Sequence, residues 1–355
     1  SVIFLIIGFC NGCCAGFGIP VAQKFGARDY STMRRYVSIS LQLAAIMSVI
    51  IAVVTSLYCR DILRIMQTPE NIFRDAYFYL LVTFIGVPCT FFYNLLSSVI
   101  RALGDSKTPF WFLLFSTILN VILDLVCILA FKWGVAGAAI ATLLSQGISA
   151  VLCYIYMYRR FEILRSTREE RKFRSNLAGN LMWIGVPMGL QFSVLAIGII
   201  VMQRALVGFD IGPDGIMAAG NPAQNGFGAA NKLNNFLMCP MNALSTAIVS
   251  FNAQNLGAGR QDRIRRGTGK SLLIGLAMYL ILGGIGMLLT VRGAYQYLFM
   301  SADKITAATI RCGNLYLYVD LSMYFALMVL FVFRSGVQGV GLAVLRTPLM
   351  NCVDG

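Results

Sequence analysis

Residues 76–100 read AYFYLLVTFIGVPCTFFYNLLSSVI, a run without a charged side chain, bounded by Asp75 on one side and Arg101 on the other. A hydrocarbon core about 30 Å thick is crossed by about 20 apolar residues in a helix, so this run is long enough to span a bilayer. Five more uncharged runs of similar length lie at 37–58, 133–158, 181–203, 233–252 and 271–291. Two others, 110–131 and 312–333, are each interrupted by one carboxylate, Asp124 and Asp320. In lipid every backbone polar group must be satisfied internally, which leaves helices for segments of this length. The fold class is therefore all-α, a polytopic membrane protein.

Composition agrees. The 355 residues are 58% hydrophobic and 12% charged, whereas an ordinary soluble domain carries about 25% charged residues. The 29 Lys and Arg against 15 Asp and Glu leave +14, yet the basic residues sit in the joints between apolar runs, where nucleic acid is not needed to explain them. There is no histidine, which removes Ser/His and Cys/His catalytic pairs and the HExxH zinc helix. The ten cysteines lie in or beside apolar runs and read as small hydrophobes. Cys10 and Cys13 have a CxxC spacing, but no second pair or histidine completes four ligands, so no metal cluster is expected there. Gly267-Thr268-Gly269-Lys270-Ser271 resembles the end of a phosphate-binding loop, but position 264 is Ile and an apolar span follows, which argues against ATP as the energy source.

Ser1 opens directly into an apolar stretch with no basic n-region or cleavage site. Residues 1–22 read as the latter part of a span and 341–353 as the opening of one, so the expectation is an internal fragment.

The joints alternate in basic content. One set, at 24–35, 101–107, 159–174, 260–270 and around Arg334 and Arg346, holds twenty Lys and Arg; the joints at 60–74, 132 and 292–311 hold seven. The rich set is placed in the cytoplasm, where it can also hold anionic head groups. The joint at 211–226, IGPDGIMAAGNPAQNG, reads as an external surface loop from its Gly, Asn and Pro content.

The chain repeats itself. Ala22-Gln23-Lys24-Phe25-Gly26-Ala27 recurs as Ala253-Gln254-Asn255-Leu256-Gly257-Ala258, and Arg34-Arg35 as Arg265-Arg266, both at an offset of 231. Tyr79 to Gly104 and Tyr316 to Gly341 are each 25 residues apart, and each is followed by a Thr-Pro. Both copies face the same way, so the repeat is parallel.

Ionisable groups inside a span are costly, which singles out Asp124 and Asp320. Asn120 precedes Asp124 by one turn, and Thr142 and Gln146 have the same spacing on the next span, forming a polar stripe. Hydrogen bonds that glue helices together are the competing reading for Thr142 and Gln146. Arg334 and Lys232 read as snorkelling or loop-paired residues.

The segments AQKFGARDYSTMRR (22–35), RALGDSKTPF (101–110), LNVILDL (119–125), GVPMGLQFSV (185–194), GAANKLNNF (228–236) and AQNLGAGRQDRIRR (253–266) resemble the multidrug and toxic compound extrusion (MATE) family over nearly the whole chain. The resemblance implies twelve helices in two six-helix lobes related by a pseudo-twofold along the membrane normal. Aligned that way, 1–158 is the amino-terminal lobe from part of the second helix to the sixth. Residues 159–176 are the cytoplasmic linker. Residues 177–355 are the carboxy-terminal lobe, from the seventh helix to the start of the eleventh.

The resemblance further implies a cation-coupling site at Asn94, Asn120, Asp124 and Thr142, completed in many members by a first-helix Asp that this chain does not include. At 1.5 Å per residue, Asn94 lies about 10 Å from the level of Arg101, and Asp124 about 25 Å from that of Lys107. Asp320 is a possible second carboxylate; on the seventh helix, where some members carry one, Gln191 and Ser193 stand. Gln146 and Gln191 are polar cavity candidates.

The reading is a secondary antiporter of the plasma (inner) membrane. It expels an organic, cationic or amphipathic compound by alternating access of two lobes while H+ or Na+ moves inward, with no other cofactor. The alternatives are a lipid-linked oligosaccharide flippase of the same superfamily, which would want a basic hydrophilic cavity, and a channel or structural membrane protein without cation coupling. An intramembrane protease is disfavoured by the absent histidines and by a single intramembrane Asp in each half.

Overall fold

The computed structural model describes residues 2–65, 70–210, 221–291, 293–301 and 305–341, and these are helical or in the joints between helices, with no strand among them. The amino-terminal half runs α1 (Val2–Gly26), α2 (Tyr30–Leu57), α3 (Cys59–Ile65), α4 (Glu70–Ile85), α5 (Val87–Ala102), α6 (Lys107–Leu125), a π-helical turn (Val126–Ala130) and α7 (Gly134–Arg160). A 3-10 turn (Glu162–Leu164) follows, then α8 (Ser175–Phe209), α9 (Pro222–Gly257), α10 (Gln261–Val291), α11 (Ala294–Phe299) and α12 (Ala307–Val340). Among the described residues, eight helices are long and apolar enough to cross a membrane, and α4 with α5 supplies a ninth. The expected spans are therefore present; the opening of a further one at 341–353 lies, beyond Gly341, outside the described residues.

The run at 76–100 is not straight. It breaks at Gly86 into α4 and α5, which meet at a 42° bend. Pro88, in the first turn of α5, has no N–H to return to the preceding turn and its ring crowds the carbonyl there. The Gly86 N–H instead shares the Val82 and Thr83 carbonyls at 2.9 and 3.1 Å.

The repeat is visible in the order of elements. A long helix, a long helix, a short helix and a further span occur as α1, α2, α3 and α4–α5, and again as α9, α10, α11 and α12. The turn after the first helix of each set has a left-handed residue at matching positions, Arg28 (φ 58°) and Gly259 (φ 69°). Gly104 (φ 91°) and Gly341 (φ 69°), the ends of the two 25-residue intervals, are left-handed as well.

Two compact units are present, residues 1–196 and 197–355. In the first, α5 packs along α1, α2 and α7, and α6 along α7. The division falls inside α8 because glycines bring its first half onto α1: a Cβ at Gly12 would lie 2.4 Å from the Met188 carbonyl oxygen, and one at Gly16 would lie 2.6 Å from the Gly185 Cα. In the second, α12 lies along α9 and against α10, around a core of Leu233, Leu237, Tyr295, Leu317, Leu321 and Tyr324.

The loop expected at 211–226 needs correction. Residues 211–220 lie outside the described residues, but from Pro222 the chain is already helical. Proline loses nothing at a first helical turn, where its N–H would have no partner in the helix. The buried Asp210 carboxylate accepts from the Ala223 and Gln224 N–H groups at 2.8 and 3.0 Å, capping α9 from outside its own segment.

Candidate coupling site

The α6–α7 hairpin positions the first carboxylate. Asp105 starts α6 by accepting from the backbone N–H groups of Lys107 and Thr108 at 3.1 Å and from the Thr108 hydroxyl at 2.6 Å. At the far end the chain passes through the π turn and reverses at two left-handed residues, Lys132 (φ 55°) and Gly134 (φ 56°). A Cβ at Gly137 would stand 3.1 Å from that of Cys127, so the return helix lies close to the outgoing one. This register brings Asn120 opposite Thr142: Asn120 Nδ2 donates to Thr142 Oγ1 at 3.2 Å, and Thr142 Oγ1 donates to the Ala138 carbonyl at 3.0 Å.

Asp124 sits one turn beyond Asn120, with Oδ1 buried and without a hydrogen-bond partner. The π turn begins two residues later, a local widening of the helix that is frequent at functional sites.

The stripe on α7 divides between two neighbours. Thr142 meets Asn120 on α6, whereas Gln146 Oε1 receives the Thr90 hydroxyl of α5. Asn94 Nδ2 donates to the Thr90 carbonyl at 2.8 Å, so Asn94 joins Gln146 through Thr90. Among the described residues no hydrogen bond links Asn94 to Asp124. Asn120 and Thr142 thus form a bonded pair beside Asp124, and Asn94, Thr90 and Gln146 a second group one turn along the same face of α7. Thr90 escaped the sequence reading; its one signal was the one-turn spacing to Asn94. Gln191 is half-buried on α8, two residues before Ser193, whose hydroxyl donates to the Gly189 carbonyl at 3.5 Å.

The second unit contains a different arrangement. Asp320 lies on α12 between Tyr316 and Tyr324, each one turn away, and its Oδ2 is buried without a partner. Asn234 Nδ2 of α9 donates to the Tyr316 hydroxyl at 3.4 Å. The Asn234 Oδ1 and Tyr324 hydroxyl oxygens are also buried and unpartnered. Asn234, Tyr316 and Tyr324 were not singled out in the sequence, although the 316, 320, 324 spacing marks one helical face. Arg334, farther along α12, places its guanidinium 5.8 Å from the Phe331 ring centre. Gly267–Ser271 is part of α10 and forms no phosphate-binding loop.

A bundle of apolar spans with carboxylates held inside it is a multi-pass membrane protein. The family model MatE matches residues 1–126 and 220–347, and the chain belongs to the MatE family. It is 29% identical over 304 residues to the probable multidrug resistance protein YoeA of Bacillus subtilis (strain 168), covering 84% of this chain and 63% of that protein. It is 30% identical over 264 residues to the probable multidrug resistance protein YpnP of the same organism, covering 74% and 57%. The chain thus spans about three-fifths of the length of these curated relatives. Among solved structures, the outward-facing conformation of a multidrug resistance MATE family transporter superposes with a TM-score of 0.84 at 20% identity, over 96% of this chain and 73% of the other. That likeness supports the fold.

Proposed function

We propose that the complete protein is a cation-coupled antiporter of the plasma membrane, exporting organic cationic or amphipathic compounds while H+ or Na+ moves inward. The observation that carries the reading is the Asp124 carboxylate, with one oxygen buried and unpartnered beside the Asn120–Thr142 pair. Such a group in a span is expensive unless it is protonated or meets a cation. Asn120 and Thr142 have oxygens that could serve as further ligands for Na+, and either can hydrogen-bond a carboxyl in both protonation states. Loading and release at Asp124 would bias two arrangements of the helices, the way a local charge change drives a bistable element. The multidrug resistance names of the relatives favour small organic cargo, carried rather than chemically transformed.

The test is efflux from proteoliposomes containing the complete protein, under separately imposed pH and Na+ gradients. Gradient-driven efflux that disappears in Asp124→Asn while substrate binding persists is the expected result. Equal efflux with and without either gradient would refute coupling and favour a channel.

A further inference from the structure

The segment from 161 to 174, after the Arg159-Arg160 end of α7, carries five basic residues, and a strongly charged joint of that kind would ordinarily be solvated along its length. One of its carboxylates is not. Glu170 is 5% exposed and meets Arg34 of α2 in a two-pronged ion pair, Arg34 Nε to Glu170 Oε2 at 2.8 Å and Nη2 to Oε1 at 2.7 Å. Paired geometry of this type is the strong form of a charge-assisted contact.

Two further bonds tie the same stretch to α2 and a third closes it on itself. The third arm of Arg34, Nη1, donates to the Ile163 carbonyl at 3.4 Å. The Thr167 N–H closes onto Glu170 Oε2 at 2.9 Å. Gln42 Nε2, two turns along α2, donates to the Arg171 carbonyl at 2.9 Å. Leu164 is buried beneath the 3-10 turn. From 172 to 174, by contrast, no hydrogen bond reaches α2 among the described residues, and α8 starts at Ser175.

We propose that Arg34 and Glu170 are positioning residues whose ion pair fastens residues 161–171 to the amino-terminal unit and confines the compliant part of the connection into α8 to residues 172–174. The consequence is one of reach. Fourteen free residues, 161–174, could extend about 48 Å, whereas three extend about 10 Å. A joint that looks like a long tether in sequence is thereby a short connector. The clasp lies on the basic-rich side of the spans, and its exposed acids, Glu162 and Glu169, are taken up by Arg165 and Lys172, which leaves Glu170 to serve Arg34.

Amide hydrogen exchange on the complete protein in lipid tests this without any transport assay, so its outcome is independent of the coupling reading. In the wild type, amides of 163–171 should exchange at least about tenfold more slowly than those of 173–174, as expected for a docked segment beside a compliant one. Arg34→Gln and the isosteric Glu170→Gln should each abolish that difference, and Arg34→Lys should retain part of it. Protection in α10 serves as the control that a variant is folded. Equal exchange across 163–174 in the wild type would overturn the proposal, as would undiminished protection of 163–171 in folded Glu170→Gln.

Discussion

The two halves use one chain plan and fill it with different polar groups. At an offset of 237 residues, Gly86-Val87-Pro88 of the broken span stands where α12 has Met323-Tyr324-Phe325, and α12 runs unbroken for 34 residues. Thr83 stands where α12 has Asp320, and Asn94 where it has Phe331. A glycine and a proline bend one copy; residues that keep the backbone N–H and carry a Cβ stand there in the other, which is continuous. The repeated turns determine where helices start and stop, and the residues between them decide which polar groups each half holds. In the amino-terminal half the carboxylate lies on α6, for which the carboxy-terminal half has no described counterpart, and in the second half it lies on the counterpart of α4–α5 itself.

The sharpest way to break this comparison is to neutralise each carboxylate in turn. Asp124→Asn keeps the shape and removes the charge. It should reduce gradient-driven efflux at least about a hundredfold, about 2.7 kcal/mol at 1.36 kcal/mol per factor of ten, with substrate binding retained. Asp320→Asn should cost less than about tenfold on the same scale. Proteoliposome efflux decides between them. If Asp320→Asn abolished coupling and Asp124→Asn spared it, the working site would belong to the second unit, with Asn234, Tyr316 and Tyr324 as its companions.

The spans, the basic alternation and the repeat were legible because they depend on hydropathy, charge and spacing, all of which are local or periodic. The Asn120–Asp124 pair was legible for the same reason. What escaped depends on pairs far apart in the chain. Arg34 and Glu170 are 136 residues apart, and nothing in a run of seven basic residues says which acid will turn inward. Asn234 and Tyr316 meet across 82 residues. Asp210 caps a helix that starts twelve residues later, so a Gly, Asn and Pro-rich joint conceals a helix start at Pro222. Asn94 and Asp124 were grouped by resemblance, yet the polar residues near them bond to different helices: Thr142 to Asn120 of α6, and Gln146 to Thr90 of α5.

A second contrast concerns two arginines that the repeat makes equivalent. Arg34 is clasped by Glu170, whereas Arg265, 231 residues on, is exposed and has no ion pair among the described residues. Arg34→Ala should therefore destabilise by about 2 kcal/mol, the loss of hydrogen bonds to a charged partner. Arg265→Ala should stay within about 0.5 kcal/mol, and thermal denaturation of the two variants measures the gap. The clasp should also be indifferent to transport pH. Its Arg34 bonds, the Thr167 N–H and the Ser31 hydroxyl hold the Glu170 carboxyl down from 4.5 to about 2, despite the opposing effect of burial. A depressed carboxylate contributes in full above its unfolded value and loses that contribution as pH falls through the folded one. A spin label at Arg168→Cys should thus keep constant mobility from pH 8 to pH 5 and loosen only between 4.5 and about 2. Loosening between pH 7 and 5 would make the clasp a pH-responsive element instead of a fixed one.

The smallest effect tests the repeat at one backbone position. Arg28 and Gly259 occupy the same place in the turn after the first helix of each half, both left-handed, at φ 58° and 69°. For a residue with a Cβ that conformation costs about 1–2 kcal/mol, and glycine adopts it freely. Arg28 is exposed, and its N–H closes the turn onto the Phe25 carbonyl at 3.0 Å, a bond that a glycine keeps. Against the relief stands the greater freedom of glycine in the unfolded chain, about 0.5–1 kcal/mol. Arg28→Gly should therefore stabilise by about 0.5 kcal/mol, and Gly259→Arg should destabilise by a similar amount, both read from thermal denaturation in lipid. The sign is the informative part. If Arg28→Gly destabilised the protein, the guanidinium would be supplying more than the strained turn costs, and the two turns would be alike in backbone shape but not in what holds them there.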